Sequence, residues 1–204
     1  MKAAGVIWVR SAFAEPSETV RAAVDEGRAT ILVEAEVSPE ALRAHCGLIT
    51  GTQLDQDRAL VWAGWLRAWL EAGGRWVVNG HLLRPILPEA APFVPMERPG
   101  RADFVQTRLA EHPILAGIAP ELLEANRGVA GFYGRGHNPM PPGAVAVTGL
   151  GPRRVPVDWV WPVGAGAVFS HAGNDLWGAG REHGLGPELT ARCIAWAGGE
   201  GAWR

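Results

Sequence analysis

Apolar residues along this chain come in two rhythms. Short, nearly unbroken apolar runs read as strands buried on both faces, and longer stretches with apolar residues three and four apart read as amphipathic helices. In the first half the two alternate, which is the signature of a parallel sheet wrapped by helices. Val6–Val9 is the first predicted strand, and Ser17–Glu26 the first helix, with Pro16 or Ser17 at its start. Thr30–Val33 is the second strand. Ser38 and Pro39 open a short helix that ends near His45, and Cys46–Ile49 is the third strand. Gln56–Glu71 sets Trp62, Trp65, Leu66, Trp69 and Leu70 on one helical face and stops at Gly73-Gly74. That stripe reads as core packing rather than as a stacking platform for bases or sugars. Trp76–Val78 is the fourth strand and runs into Asn79-Gly80-His81.

Beyond Leu82 the pattern loosens. Pro85, Pro88, Pro92, Pro95 and Pro99 punctuate a loop of the kind that lies over a site or an interface. Phe104–Leu109 is a predicted strand, Glu121–Glu124 a turn of helix, and Val145–Thr148, Pro156–Trp161 and Ala167–Ser170 are the later strands. A last helix starts at Gly186-Pro187. Parallel strands joined by right-handed crossovers bring their carboxyl ends to one edge, where open α/β sheets bind ligands. The expected architecture is α/β and flavodoxin-like, a mostly parallel sheet flanked by helices, in one domain over residues 1–204.

Charge narrows the partners. The 204 residues carry 19 basic and 21 acidic side chains, a formal net charge of −2 mixed along the chain. No basic stripe is available for a phosphate backbone, so nucleic acid is not an expected partner. No apolar run approaches the ~20 residues that cross a bilayer, so a membrane is not expected either. Cys46 and Cys193 lie far apart without C-x-x-C spacing, which favours a reduced, cytoplasmic protein. Met1-Lys2 and Ala12-Phe13-Ala14 superficially resemble a secretory signal, but Arg10 interrupts the apolar run and Val6–Val9 is the better strand. Ten tryptophans exceed the needs of a core this size, so Trp161, Trp177 and Trp203 are candidates for an exposed surface, a second copy of the chain being one partner for it.

An ordered set of short motifs runs from the third strand to the end. It comprises the Gly73-Gly74 entry to the strand ending at Asn79-Gly80-His81, His112-Pro113-Ile114-Leu115-Ala116-Gly117-Ile118, Pro156-Val157-Asp158-Trp159, Gly164-Ala165-Gly166-Ala167-Val168-Phe169, Gly173-Asn174-Asp175 and Ile194-Ala195-Trp196-Ala197. In this order they resemble the ThuA-like (trehalose utilisation) family within the class I glutamine amidotransferase-like group. His81 falls one position later than the family's histidine, and Asn174 stands where the family has histidine. The resemblance implies an amidotransferase-like fold and a role around carbohydrate utilisation. A catalytic glutamine amidotransferase needs a thiolate on the sharp turn after the fourth strand. Here that turn holds no cysteine, which excludes cysteine-dependent glutaminase chemistry.

His81 and His171 end strands at the expected ligand edge, and imidazole moves protons or binds a divalent ion near neutral pH. With Asp175 and Asn79 they form either an acid–base pair or part of a metal site, a divalent metal being the candidate cofactor; the bland alternative is that they only order loops. In the catalytic reading His81 or His171 moves a proton and Asp175 orients the histidine or holds a metal. Asn79, Gln53, Arg84 and Asn174 bind oxygen atoms of a small polar, sugar-like ligand. Tyr133 and His137, in the run GFYGRGHNPMPPG, carry polar groups to the mouth of the pocket. Two functions follow. One is a hydrolase or lyase acting on a sugar derivative, and the other is a non-catalytic binding or assembly module on the same scaffold.

Overall fold

The computed structural model describes residues 5–10 and 15–202; the signal-like Met1-Lys2 and Ala12-Phe13-Ala14, and Trp203, lie outside them. Chain order is β1 (Val6–Val9), α1 (Glu18–Asp25), β2 (Ala29–Leu32), α2 (Pro39–Ala44), β3 (Gly47–Thr50), α3 (Gln56–Ala59), α4 (Ala63–Glu71) and β4 (Arg75–Asn79). Short strands follow: β5 (Val94–Pro95), β6 (Gln106–Arg108), β7 (Ala125–Asn126), β8 (Val129–Ala130) and β9 (Gly136–His137). The chain closes with β10 (Val145–Leu150), β11 (Val155–Val163), β12 (Gly166–His171) and α5 (Gly186–Ala197).

Eight strands make one sheet in the order β2-β1-β3-β4-β12-β11-β10-β6. The first five are parallel, and the last three are joined to it antiparallel. From β1 the chain steps outward to β2 and then back across to β3. The order therefore reverses at β1/β3, the topological switch point of a flavodoxin-like sheet.

Alternation along each strand divides the core in two. Val6, Trp8, Ile49, Val77 and Phe169 join Val20 and Ala23 of α1 and Leu189, Cys193, Ile194 and Trp196 of α5 on one face. Ile7, Val9, Leu48, Trp76, Val78 and Val168 join Leu42 of α2 and Leu66 and Leu70 of α4 on the other. Ser17 and Ser38 cap α1 and α2, accepting from the amides of Val20 and Ala41 at 3.4 and 3.1 Å.

The predicted Gln56–Glu71 helix is interrupted. A tighter 3-10 turn at Leu60–Trp62 separates α3 from α4 and turns Trp62 into the core beside Leu66 and Leu70. Trp65 and Trp69 are only partly buried, and the Trp69 indole donates to the His45 carbonyl at 3.1 Å. Trp161, expected at the surface, is 6% exposed on the α4 face and donates to the Pro142 carbonyl. In place of a Phe104–Leu109 strand there is a 3-10 turn, Arg101–Phe104, followed by the shorter β6.

Candidate functional site

The carboxyl edge has two halves. In the first, β4 ends at Asn79 and the chain turns sharply through Gly80, whose φ is +96°. A Cβ on Gly80 would lie 2.9 Å from Thr52 Cα, so the turn that carries the nucleophile in an amidotransferase has no room here for a side chain. Asn138 locks this turn from beneath: its amide donates to the Gly80 carbonyl and Ser170 Oγ at 3.0 and 3.1 Å, and its Oδ1 accepts from the Leu82 amide at 2.9 Å. Gly80→Cys should therefore lower stability by about 1–3 kcal/mol and release no ammonia from glutamine. Denaturant melts and a glutaminase assay on the variant check both parts.

His171 ends β12 on the neighbouring strand and is 0% exposed. It stands directly opposite Asp158 in the β11–β12 register, so both side chains project to one face. His171 Nδ1–H donates to Asp158 Oδ1 at 2.6 Å, and the Tyr133 hydroxyl donates to Asp158 Oδ2 at 2.6 Å. The carboxylate that orients this histidine is thus Asp158, not Asp175 as expected from the sequence. Tyr133 is 1% exposed and not at a pocket mouth; burial, and then the Asp158 charge, push its hydroxyl well above the usual tyrosine range. His171 Nε2 is buried with no partner. Over it, the backbone of Gly173 meets that of Tyr133 so closely that an added Cβ would sit 2.7 Å from Nε2 and overlap the Tyr133 carbonyl.

The other expected residues disperse. His81 stacks on Phe93 of the proline-rich loop at 3.6 Å between ring centroids, and burial, then the nearby His171, lower its pKa. Asn79 is a clip: its amide donates to the Thr50 carbonyl and its Oδ1 accepts from the Leu176 amide, each at 3.0 Å. Arg84 pairs with Asp57 at 2.6 Å on the surface. His137 lies in β9, paired with Val94 of β5, and burial lowers its pKa. Among the described residues no three His, Cys, Asp or Glu side chains come together to hold a metal ion.

In the second half, at the β1/β3 switch point, a groove of about 600 Å³ opens. Its size suits a small ligand. The end of β1 gives it Trp8 and Arg10, the loop after β3 gives Gly51, Thr52 and Gln53, and the loop after β12 gives Asn174, Asp175, Trp177 and Arg181; Phe132, Asn126 and Arg127 close the third side. Trp8 and Trp177 pack with ring centroids 4.5 Å apart. Asn174 is exposed and its amide donates to the Phe132 carbonyl at 2.8 Å. Asp175 Oδ1 accepts from the Thr52 amide at 2.6 Å, and burial raises its pKa. Gln53, Asn174 and Asp175 are the sequence-predicted residues that the fold brings together.

A second cavity, of about 470 Å³, lies at the opposite, amino-terminal edge between α2 and α4, lined by Pro39, Leu42, Trp65, Trp69 and Cys46. Its polar lining is Arg43, paired with Glu40, and His45, whose ring nitrogens are engaged by the Ala41 carbonyl and Thr30 Oγ1. Burial raises the Cys46 thiol and pushes Cys193 up to about 12, so neither is a ready nucleophile.

Sequence reasoning missed Asp158, Arg10, Arg127, Arg181 and Phe132, and it expected Asn138 of the Gly-rich run at a pocket mouth rather than buried beneath the turn at Gly80. For Asp158 the signal was available: a carboxylate inside the apolar run Val155–Val163 must find buried partners. The others come together only by tertiary contact.

No known family model matches the chain, and no curated protein matches it in sequence. Solved structures do. The Cytoplasmic Protein STM1381 from Salmonella typhimurium LT2 superimposes with a TM-score of 0.55 at 11% identity, over 95% of this chain and 97% of that one. A GMP synthase-like protein from Thermoplasma acidophilum gives 0.56 at 9% identity, over 95% and 94%. The mmIFT52 N-terminal domain gives 0.55 at 15% identity, over 97% and 98%. At these identities the likeness is one of fold, an α/β, amidotransferase-like one, and fold does not carry activity.

Proposed function

We propose that this chain binds a small, sugar-like molecule in the switch-point groove, on an amidotransferase-like scaffold without cysteine-dependent glutaminase chemistry. The observation that carries the reading is the contrast between the two halves of the edge. Gly80 carries no side chain and His171 is 0% exposed, so the β4/β12 half presents only His81, whose ring is stacked on Phe93. The β1/β3 half is open and pairs aromatic side chains, Trp8, Trp177 and Phe132, with the polar Thr52, Gln53 and Asn174. Apolar ring faces beside convergent hydrogen-bonding groups suit a polyol, whose C–H faces pack on rings and whose hydroxyls need partners. The ordered motifs similar to the ThuA-like family support a carbohydrate rather than another polar ligand.

The test is a panel of mono- and disaccharides and their oxidised and phosphorylated derivatives, followed by tryptophan fluorescence and calorimetry. Saturable binding that alters the tryptophan signal is expected, weakened about ten-fold or more in Trp177→Ala. If no member binds, or if Trp177→Ala binds as tightly as the parent, the reading fails.

A second reading is favoured by the unpartnered His171 Nε2. Parting of the Tyr133–Gly173 contact would expose a histidine already oriented by Asp158, able to serve acid–base chemistry on a sugar derivative. In that case His171→Asn abolishes turnover of a bound sugar while leaving its affinity within about two-fold.

A further inference from the structure

Three arginines line the groove, from three separate parts of the chain: Arg10 at the end of β1, Arg127 in the turn between β7 and β8, and Arg181 opening the 3-10 turn Arg181–His183. Against them the groove sets Glu15 and Asp175. Glu15 lies 4.0 Å from Arg10, with both side chains well exposed, so solvent screens that pair heavily. Asp175 is turned to the Thr52 amide. Among the described residues neither Arg127 nor Arg181 is ion-paired.

The backbone beneath Arg127 supplies an independent observation. β7 and β8 are joined by the two residues Arg127 and Gly128, at φ +50° and +73°, the signs that a type I′ turn requires. Its first position favours Asn, Asp or Gly, because a long side chain in the left-handed region is disfavoured. Arg98 and Arg154 are left-handed as well, but Arg127 is the one that lines the groove. The Gly128 amide donates to Glu182 Oε1 at 2.9 Å, tying this hairpin to the turn that carries Arg181. Both guanidinium-bearing segments are thereby fixed at one rim, and guanidinium forks match oxyanions in geometry and charge. Strained backbone positions cluster at active sites, ligand clamps and switch regions.

We infer that the groove takes its ligand as an anion: a sugar acid or sugar phosphate whose oxyanion is held at the rim by Arg127 and Arg181, with Arg10 nearby. This rests on the reading of the groove as a sugar-like site and names the substrate class within it.

The test measures affinity at low salt for glucose, glucuronate, glucose 6-phosphate and inorganic phosphate, with the parent chain, Arg127→Gly and Arg181→Ala. Glucuronate or glucose 6-phosphate should bind at least ten-fold tighter than glucose, and added salt should weaken them selectively. Each variant should lose about ten-fold in affinity for the anion. Arg127→Gly relieves the left-handed backbone, so its melting temperature should stay the same or rise by about 1–3 °C; a residue that only shaped the turn would show that change without the loss of affinity. If glucose binds as tightly as its anionic derivatives, the inference is overturned and the sugar reading stands. If the anions bind but both variants match the parent, the assignment to this rim is overturned. If inorganic phosphate binds as tightly as glucose 6-phosphate, the anion site stands and the sugar reading fails. If nothing binds, both fail.

Discussion

Asp158→Ala should lower the stability of the fold by about 3–5 kcal/mol, the largest effect of any single substitution considered. The carboxylate accepts from His171 and Tyr133, each at 2.6 Å, in a site that is 0% exposed. Removing it strands a buried phenol and a buried imidazole donor, and each pays a desolvation penalty with no bond in return. For a chain of this length that corresponds to a fall in melting temperature of roughly 10 °C. Asp158→Asn keeps an acceptor for Tyr133 and should lose less. Replacing all three with apolar residues of similar volume should recover much of the loss, because the attraction within a buried polar group mostly offsets the cost of burying it. Urea denaturation of the series is the measurement, and a loss below about 1 kcal/mol in Asp158→Ala would refute this account.

Acid should destabilise the fold through His112. This side chain is 2% exposed between Phe169 and Trp196, with ring centroids 4.6 and 5.1 Å away. Its Nδ1 accepts from the Ile114 amide at 3.3 Å, so the neutral ring is the one that fits. Burial lowers its pKa from 6.5 to about 4; the Asp158 charge opposes the shift, and Arg75 and Arg108 add to it. The folded state thus binds a proton less readily than the unfolded chain. The stabilisation is fully present above about pH 6.5 and is lost as pH falls toward 4, where the unfolded state takes up the proton first. Its size over that window is about 3 kcal/mol. His81 and His137, also lowered, act in the same direction, and Asp175, raised by burial, acts against it. Comparing the parent with His112→Gln at pH 7 and pH 4.5 isolates the histidine. An unchanged pH dependence in the variant would show that His112 does not carry the effect.

Most of the architecture was legible in the chain because strands and helices announce themselves locally. Val6–Val9 and the glycine-flanked run ending at His171 could be little else than buried strands, Ser17 and Ser38 mark helix starts through bonds to residues three positions away, and Pro39 does so through its fixed φ. The break at Leu60–Trp62 was not legible, since the apolar spacing of Trp62, Leu66 and Leu70 runs on across it. That the turn after β4 holds no cysteine is a matter of residue identity alone.

Which side chains meet depends on register and on long-range closure, and neither is written locally. Asp158 and His171 face each other because β11 and β12 pair in one register; a slip of one residue would turn the carboxylate to the other face. Asp175 was expected beside His171, yet the turn after β12 carries it to the Thr52 amide across the sheet edge. Arg10, Arg127 and Arg181 are separated by more than fifty residues at each step, and only the reversal of strand order at β1/β3 and the Gly128–Glu182 bond bring them to one groove. The sequence by itself determined the layers and the edge at which the parallel strands end, because both follow from short-range periodicity. The tertiary structure alone decided that the histidine would be buried and the switch point left open, because both outcomes come from contacts between segments that no local pattern relates.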